Sequence, residues 1–265
     1  MTRPITIVTC ALALATTACG VSTTVSTSGS VAAPASPPAS AGSAGPGPTI
    51  RRQIPAALLQ LPLTNQRGEK VDLASWPGKT VLLAPFLSLC QDVCPLITGN
   101  LVAAQQSLRA DHAASSVQIV ELTVDPGRDI PARLAAYAKL TGASWEIVTE
   151  PATELRRLAK FFGFYYQKVP EEDPDARDWW TGKPLTYDVD HTDNYFVIDP
   201  AGYERVVQDG APDFHGKLNP KLYNFLDELG RRHLKQPPQP DWTPGDLLQA
   251  LAVSVGRQLP VAPVS

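Results

Sequence analysis

A nearly continuous apolar run fills KTVLLAPFLS, from Lys79 to Ser88. A run with no polar alternation predicts a central strand covered on both faces. VQIVELTVD (117–125) predicts a second such strand and WEIVTE (145–150) a third. Between and after them the period changes. Leu96, Leu101, Ala104 and Leu108 recur at helical spacing. ARLAAYAKLTG (132–142) reads as a helix, with Asp129 as an acidic cap candidate, Pro131 near its first turn and Gly142 at its end. PATELRRLAKFFGF (151–164) reads as a third helix ending near Gly163. NYFVIDPAGYERVVQDG (194–210) predicts a hairpin that turns at Asp199-Pro200-Ala201-Gly202. NPKLYNFLDELGRRHLK (219–235) reads as one further helix.

Ahead of the central strand, AALLQLPLTNQRGEKVDLASW (56–76) has short apolar runs around Arg67-Gly68, which suits an N-terminal hairpin. Beyond QPPQP, DWTPGDLLQALAVSVGRQL (241–259) predicts an extra C-terminal helix capped by Thr243, with Pro244 first and Asp246 completing a box. The segment QKVPEEDPDARDWWTGKPLTYDVD (167–190) reads as a long loop. Its Trp179-Trp180 pair either pins it to the sheet or meets a partner. Strand and helix alternate first, then a hairpin and helices follow. That order predicts an α/β fold with a central mixed sheet flanked by helices, thioredoxin-like.

Composition divides the chain further. The expected domain spans 54–235, followed by a Pro-rich linker and the C-terminal helix over 236–265. From Cys19 to Thr49 there is no charged residue, and Ser, Thr, Ala, Pro and Gly fill nearly all of it. Such a stretch cannot bury enough apolar surface to offset chain entropy, so 19–53 reads as a disordered tether. Residues 1–18 have the layout of a signal peptide, with Arg3 before an apolar run too short to span a bilayer. ATTAC resembles a bacterial lipobox, which makes Cys19 the expected lipidation site and places the domain outside the cytoplasm, anchored to the membrane. A net charge of −3 excludes the basic face that nucleic-acid binding needs.

Cleavage and lipidation leave Cys90 and Cys94 as the cysteines of the folded part. One close pair is not a disulfide framework. Pro95 fits a first helical turn, so Cys94 lies at a helix start, where unpaired N–H groups favour a thiolate. Two such sulfurs can close a disulfide or clamp a soft metal ion. Of the histidines, His112 sits at a helix end, His215 in a loop and His233 on a helix face. His191 precedes the hairpin, beside the helix that begins at the cysteines in a thioredoxin-like sheet, and is the one placed to meet them. Asp190 is a candidate to orient its imidazole. Thioredoxin-type reductases carry a proline just before this hairpin. Tyr187 to Phe196 holds none, which weakens a purely redox reading.

FLSLCQDVCP resembles the copper-site motif of the Sco/SenC family, close to C-P-x-x-C-P. LTVDPGRDIPARLAAYA resembles that family's V-D-P-x-R-D-T-P segment, and DVDHTDNYFVIDPAG its V-D-H segment with the following strand and turn. The three occur in order between Leu61 and Leu229. The resemblance implies copper, Cu(I) or Cu(II), on Cys90, Cys94 and His191. It also implies a thioredoxin-like fold, attachment to the membrane and a part in building the copper site of a terminal oxidase. The acceptor would be that oxidase's copper subunit or another exported copper or thiol protein. Gln91 stands where the family has proline, which loosens the loop without removing a ligand. In the Asp125–Asp129 segment a structural role is expected, with Arg128 pairing locally. The competing expectation is a thiol–disulfide oxidoreductase with Cys90 and Cys94 as its redox pair and His191 tuning them.

Overall fold

The computed structural model describes residues 47–261. The expectations for the signal peptide, for Cys19 and for most of the tether fall outside those residues. The tether's last residues are described, and they are not free chain: Thr49–Gln53 is a strand, β1. Its side chains are mostly exposed, so no apolar period marks it. Backbone pairing holds it at a sheet edge, helped by Arg52, which meets the buried carboxylate of Glu204, and by Arg51, which lies 3.9 Å from the Tyr203 ring centre.

A short helix, α1 (Ala56–Leu59), leads to the predicted hairpin of β2 (Leu63–Asn65) and β3 (Lys70–Val71). β4 (Thr80–Phe86) is the continuous apolar run, and every residue in it is buried. α2 (Cys94–Ala110) crosses over to β5 (Val117–Thr123). β4 and β5 pair in parallel without a slip, from Thr80 opposite Val117 to Phe86 opposite Thr123. α3 (Pro131–Thr141) and β6 (Glu146–Thr149) repeat the crossover, and α4 (Ala152–Phe162) follows. Both helices end on a left-handed glycine, Gly142 and Gly163, where an L side chain would be strained. Asp129 does not cap α3. Ile130 holds the cap position, while Asp129 is fully buried and accepts from Thr123 Oγ1 and from the backbone and hydroxyl of Ser88.

The long segment expected to be loop is partly a ladder. β7 (Tyr166–Pro170) and β8 (Tyr187–His191) pair antiparallel as a separate two-stranded sheet. Their side chains are mostly exposed or half-buried, so the pattern of a core strand is missing. β9 (Tyr195–Ile198) and β10 (Tyr203–Gln208) form the predicted hairpin, and β9 pairs antiparallel with β4. The sheet order is β1-β10-β9-β4-β5-β6-β2-β3, a mixed sheet with a thioredoxin-like centre.

After β11 (Ala211–Pro212) the expected single helix is broken in two, α5 (Pro220–Phe225) and α6 (Glu228–His233). Leu226 is extended, and Asp227 starts a new helix by accepting from the Gly230 N–H. β12 (Asp241–Trp242) pairs with β11, and α7 (Pro244–Val255) has the predicted Thr243–Asp246 capping box. α7 is no appendage: it packs on β4, β9, β10 and α2. Among the described residues no helix is long and apolar enough to cross a membrane.

β5 carries one carboxylate within its largely apolar run. Glu121 is completely buried and accepts from Thr98 Oγ1 at 2.6 Å and Trp145 Nε1 at 2.9 Å. Burial outweighs those two donors and raises its pKa from 4.5 to about 7. Because the folded value lies above the unfolded one, Glu121 costs nothing below pH 4.5 and destabilises the fold progressively as pH rises from there towards 7. The gap corresponds to roughly 3 kcal/mol at most. Glu121→Gln is expected to flatten that slope and to be more stable than the wild type at pH 8. Thr98 can then accept from the new amide and donate to Tyr137 Oη, 3.0 Å away. Urea midpoints at pH 5 and pH 8 measure the difference, and equal slopes would contradict it.

Candidate metal centre

Cys94 is the first residue of α2, with Pro95 behind it, as the spacing predicts. Its sulfur is fully buried and accepts from the Leu87 N–H at 3.2 Å. Cys90 sits in the turn before the helix, where its own N–H donates to the Leu87 carbonyl at 3.2 Å. This turn is pinned from the side. Ser88 donates to Asp129, and the Ser88 carbonyl accepts from Trp179 Nε1 at 2.6 Å. Trp179 also stacks near Tyr137, with ring centres 6.0 Å apart. Trp180 stays 42% exposed over the Arg133 guanidinium. Trp179 thus pins the segment, one of the two roles the sequence left open, while Trp180 faces out. Arg128 pairs with Asp125 and also donates to the Tyr187 carbonyl at 2.7 Å, which ties this region to β8.

His191 ends β8, opposite Tyr166 of β7. Its side chain is 3% exposed. Nδ1 donates to the Thr192 carbonyl at 3.1 Å, which leaves Nε2 facing the Cys94 sulfur at 3.1 Å. The two sulfurs and a ring nitrogen all lie within 4.8 Å of one another, the one such group among the described residues. The imidazole from the far end of the fold therefore does reach both cysteines.

Asp190 does not orient that imidazole. Successive residues of a strand point to opposite faces, so Asp190 faces solvent while His191 faces in. The orienting group is the Thr192 carbonyl, with Asp193 Oδ1 at 3.7 Å from Nδ1. No side-chain pattern announces a backbone acceptor, so this partner was not legible in the sequence. Thr192 is held in turn by exchanging hydrogen bonds with the backbone of Tyr165. His112 lies just beyond α2 with a positive φ, and His215 is exposed beside Asp213. His233 is not on a free face: its Nδ1 lies 2.6 Å from Asp92 Oδ1, inside the cysteine loop.

The charges are distributed unequally. Cys90 is the thiol held well below its usual value, by a hydrogen bond from Cys94 and then by the His191 imidazole, which together outweigh burial. Cys94 is pushed up by burial and by the Cys90 charge. The expected helix-start activation of Cys94 is thus overridden, because its sulfur is removed from water. Burial disfavours the His191 cation, yet the Cys90 thiolate raises its pKa to about 9. Without metal the site thus favours a charged imidazole, a lowered Cys90 thiol and a raised Cys94 thiol. Freed of its protons, it presents two soft thiolates and one imidazole nitrogen, a donor set for Cu(I) or zinc.

A family model described as SCO1/SenC matches residues 57–211. The chain is similar to the mitochondrial SCO2 homolog of Bos taurus, 29% identical over 141 residues, 53% of this chain and 49% of that one. It is 26% identical over 146 residues to a putative copper-binding protein of Stutzerimonas stutzeri, covering 55% of this chain and 66% of that one. The match thus spans about half the length of the bovine relative and under two thirds of the bacterial one. Among solved structures, Bradyrhizobium japonicum ScoI with copper bound is 25% identical with a TM-score of 0.47, covering 68% of this chain and 99% of that one.

Proposed function

Because the chain belongs to the SCO1/SenC family, we propose that it binds one copper ion through Cys90 Sγ, Cys94 Sγ and His191 Nε2 and passes that ion on. The observation that carries this reading is the convergence of the three donors from two distant parts of the chain. The Thr192 hydrogen bond supports it, since it fixes the tautomer that leaves Nε2 free for a metal. Copper is the cargo here. Three protein ligands leave a coordination position through which an incoming thiolate can exchange. The acceptor in this reading is the copper subunit of a terminal oxidase or another exported copper or thiol protein. The signal-like N-terminus and Cys19 support an extracytoplasmic, lipid-anchored location.

A second reading rests on the unequal thiols. A Cys90 thiol lowered in pKa beside a buried Cys94 raised in pKa suits thiol–disulfide exchange on another exported protein. The two activities can share one site but exclude each other in time, because reducing a target disulfide leaves Cys90 and Cys94 oxidised, and copper needs the pair reduced.

The test is copper stoichiometry with X-ray absorption on the reduced protein. One copper per chain is expected, with two sulfur neighbours and one nitrogen. Oxidising Cys90 and Cys94 to a disulfide is expected to abolish binding, and a phosphine reductant to restore it. Equal copper uptake by the oxidised protein would remove the thiolates from the site and end the reading.

A further inference from the structure

Residues 213–240 connect β11 to β12, and this segment is fastened at both ends to the parts of the chain that carry the cysteines. At one end Phe214 is buried against α2. A Cβ on Gly99 would come within 2.6 Å of its ring, and one on Gly216 within 2.5 Å. The ring fills a slot that two glycines leave open. In the middle, Leu222, Phe225 and Leu226 are buried, and Asn219 Nδ2 donates to the Leu140 carbonyl at 2.9 Å.

At the other end α6 lies on the residues between the cysteines. The Asp227 N–H donates to the Gln91 carbonyl at 2.9 Å. Gly230 brings the backbones so close that a Cβ there would sit 2.5 Å from the Gln91 oxygen and 2.9 Å from Asp92 Cα. His233 Nδ1 completes the set at 2.6 Å from Asp92 Oδ1. All three contacts fall on Gln91 and Asp92, the two residues that follow Cys90. That stretch has no proline to fix its backbone. The restraint comes instead from outside, from one short helix that holds a carbonyl, a Cα and a carboxylate at once.

We infer that residues 213–235 form a strap that sets the geometry of the Cys90–Cys94 loop, with His233 as its positioning residue and Gly230 as the position that lets it close. His233 acts through Asp92 and is not itself a ligand. The inference rests on the copper reading for its effect on the metal and stands apart from it for its effect on the thiols.

Three variants of the full chain test it: His233→Ala, His233→Asn and Gly230→Ala. Asparagine can place an amide donor near the position of Nδ1. Gly230→Ala leaves His233 intact and strengthens α6 as a helix, so it carries the test if His233→Ala fails to fold. Two rates are read, Cu(I) release to an excess of a colorimetric chelator and alkylation of Cys90 in the reduced, metal-free protein. Losing a charge-assisted hydrogen bond is expected to speed both about tenfold in His233→Ala. Gly230→Ala should do the same, and His233→Asn should return both to within about twofold of wild type. Denaturant midpoints are measured alongside. Rates unchanged in both loosening variants, or rates that rise only as far as global stability falls, would overturn the strap. If the wild type takes up no copper, the copper reading fails, while the alkylation rates still decide for or against the strap.

Discussion

His191→Ala is expected to lower copper affinity by more than about 100-fold, beyond the range for losing only an outer-shell partner of a metal ligand. The two sulfurs would remain, held by the Leu87 amide and the start of α2, but one of the three donors would be gone. The dithiol should still oxidise and reduce against glutathione, since neither sulfur is lost. The pH dependence should change as well. In the wild type the imidazole holds a proton up to about pH 9, and copper must displace it. Apparent affinity should therefore rise with pH towards 9. In His191→Ala that part of the rise should vanish, leaving only the thiol protons. Competition titrations with a Cu(I) chelator from pH 6 to 9 measure both effects. An affinity within tenfold of wild type would show that the imidazole is no ligand, and the three-donor site would have to be abandoned.

The site was legible in the sequence for a topological reason. His191 stands close ahead of an apolar hairpin, Cys94 opens the helix after an apolar strand, and a thioredoxin-like sheet sets those two points side by side. Its surroundings were not legible. Asp190 and His191 are neighbours in sequence but lie on opposite faces of β8, a separation that is invisible until β8 is known to be a strand. β7 and β8 themselves lack an apolar period because they pair only with each other, as a two-stranded sheet beside the central one. β1 escaped for a related reason, being held by its backbone and by the Arg52 pairing to buried Glu204. Cys94 was expected to be the activated thiol from its place at a helix start. Burial of its sulfur outweighs that local field and hands the thiolate to Cys90. In each case a contact distant in sequence decided what the local pattern did not show.

The C-terminal segment shows the same division and carries the other large effect. Its capping box and apolar face were plain, whereas the surface it covers was not. The structure sets α7 on the sheet beside α2, with Thr80 and Ser254 hydroxyls 2.8 Å apart. Trp242 is completely buried, donates to the Gly210 carbonyl at 2.9 Å and meets Tyr195 edge-on with ring centres 5.0 Å apart. Ending the chain after Lys235 would therefore not yield a trimmed copper domain. It would strip Trp242, Leu247, Leu248 and Leu251, all fully buried, from the core. At about 2 kcal/mol each their burial is worth roughly 8 kcal/mol, which is comparable with the whole stability of an ordinary domain. The truncated chain is expected to lose cooperative unfolding and near-UV circular dichroism. Trp242→Ala alone should cost about 3–5 kcal/mol and lower the melting temperature while leaving Cys90, Cys94 and His191 in place. A chain ending at 235 that is soluble and melts cooperatively near the full-length temperature would show that this helix is dispensable, and that β4, β9 and β10 find their cover elsewhere.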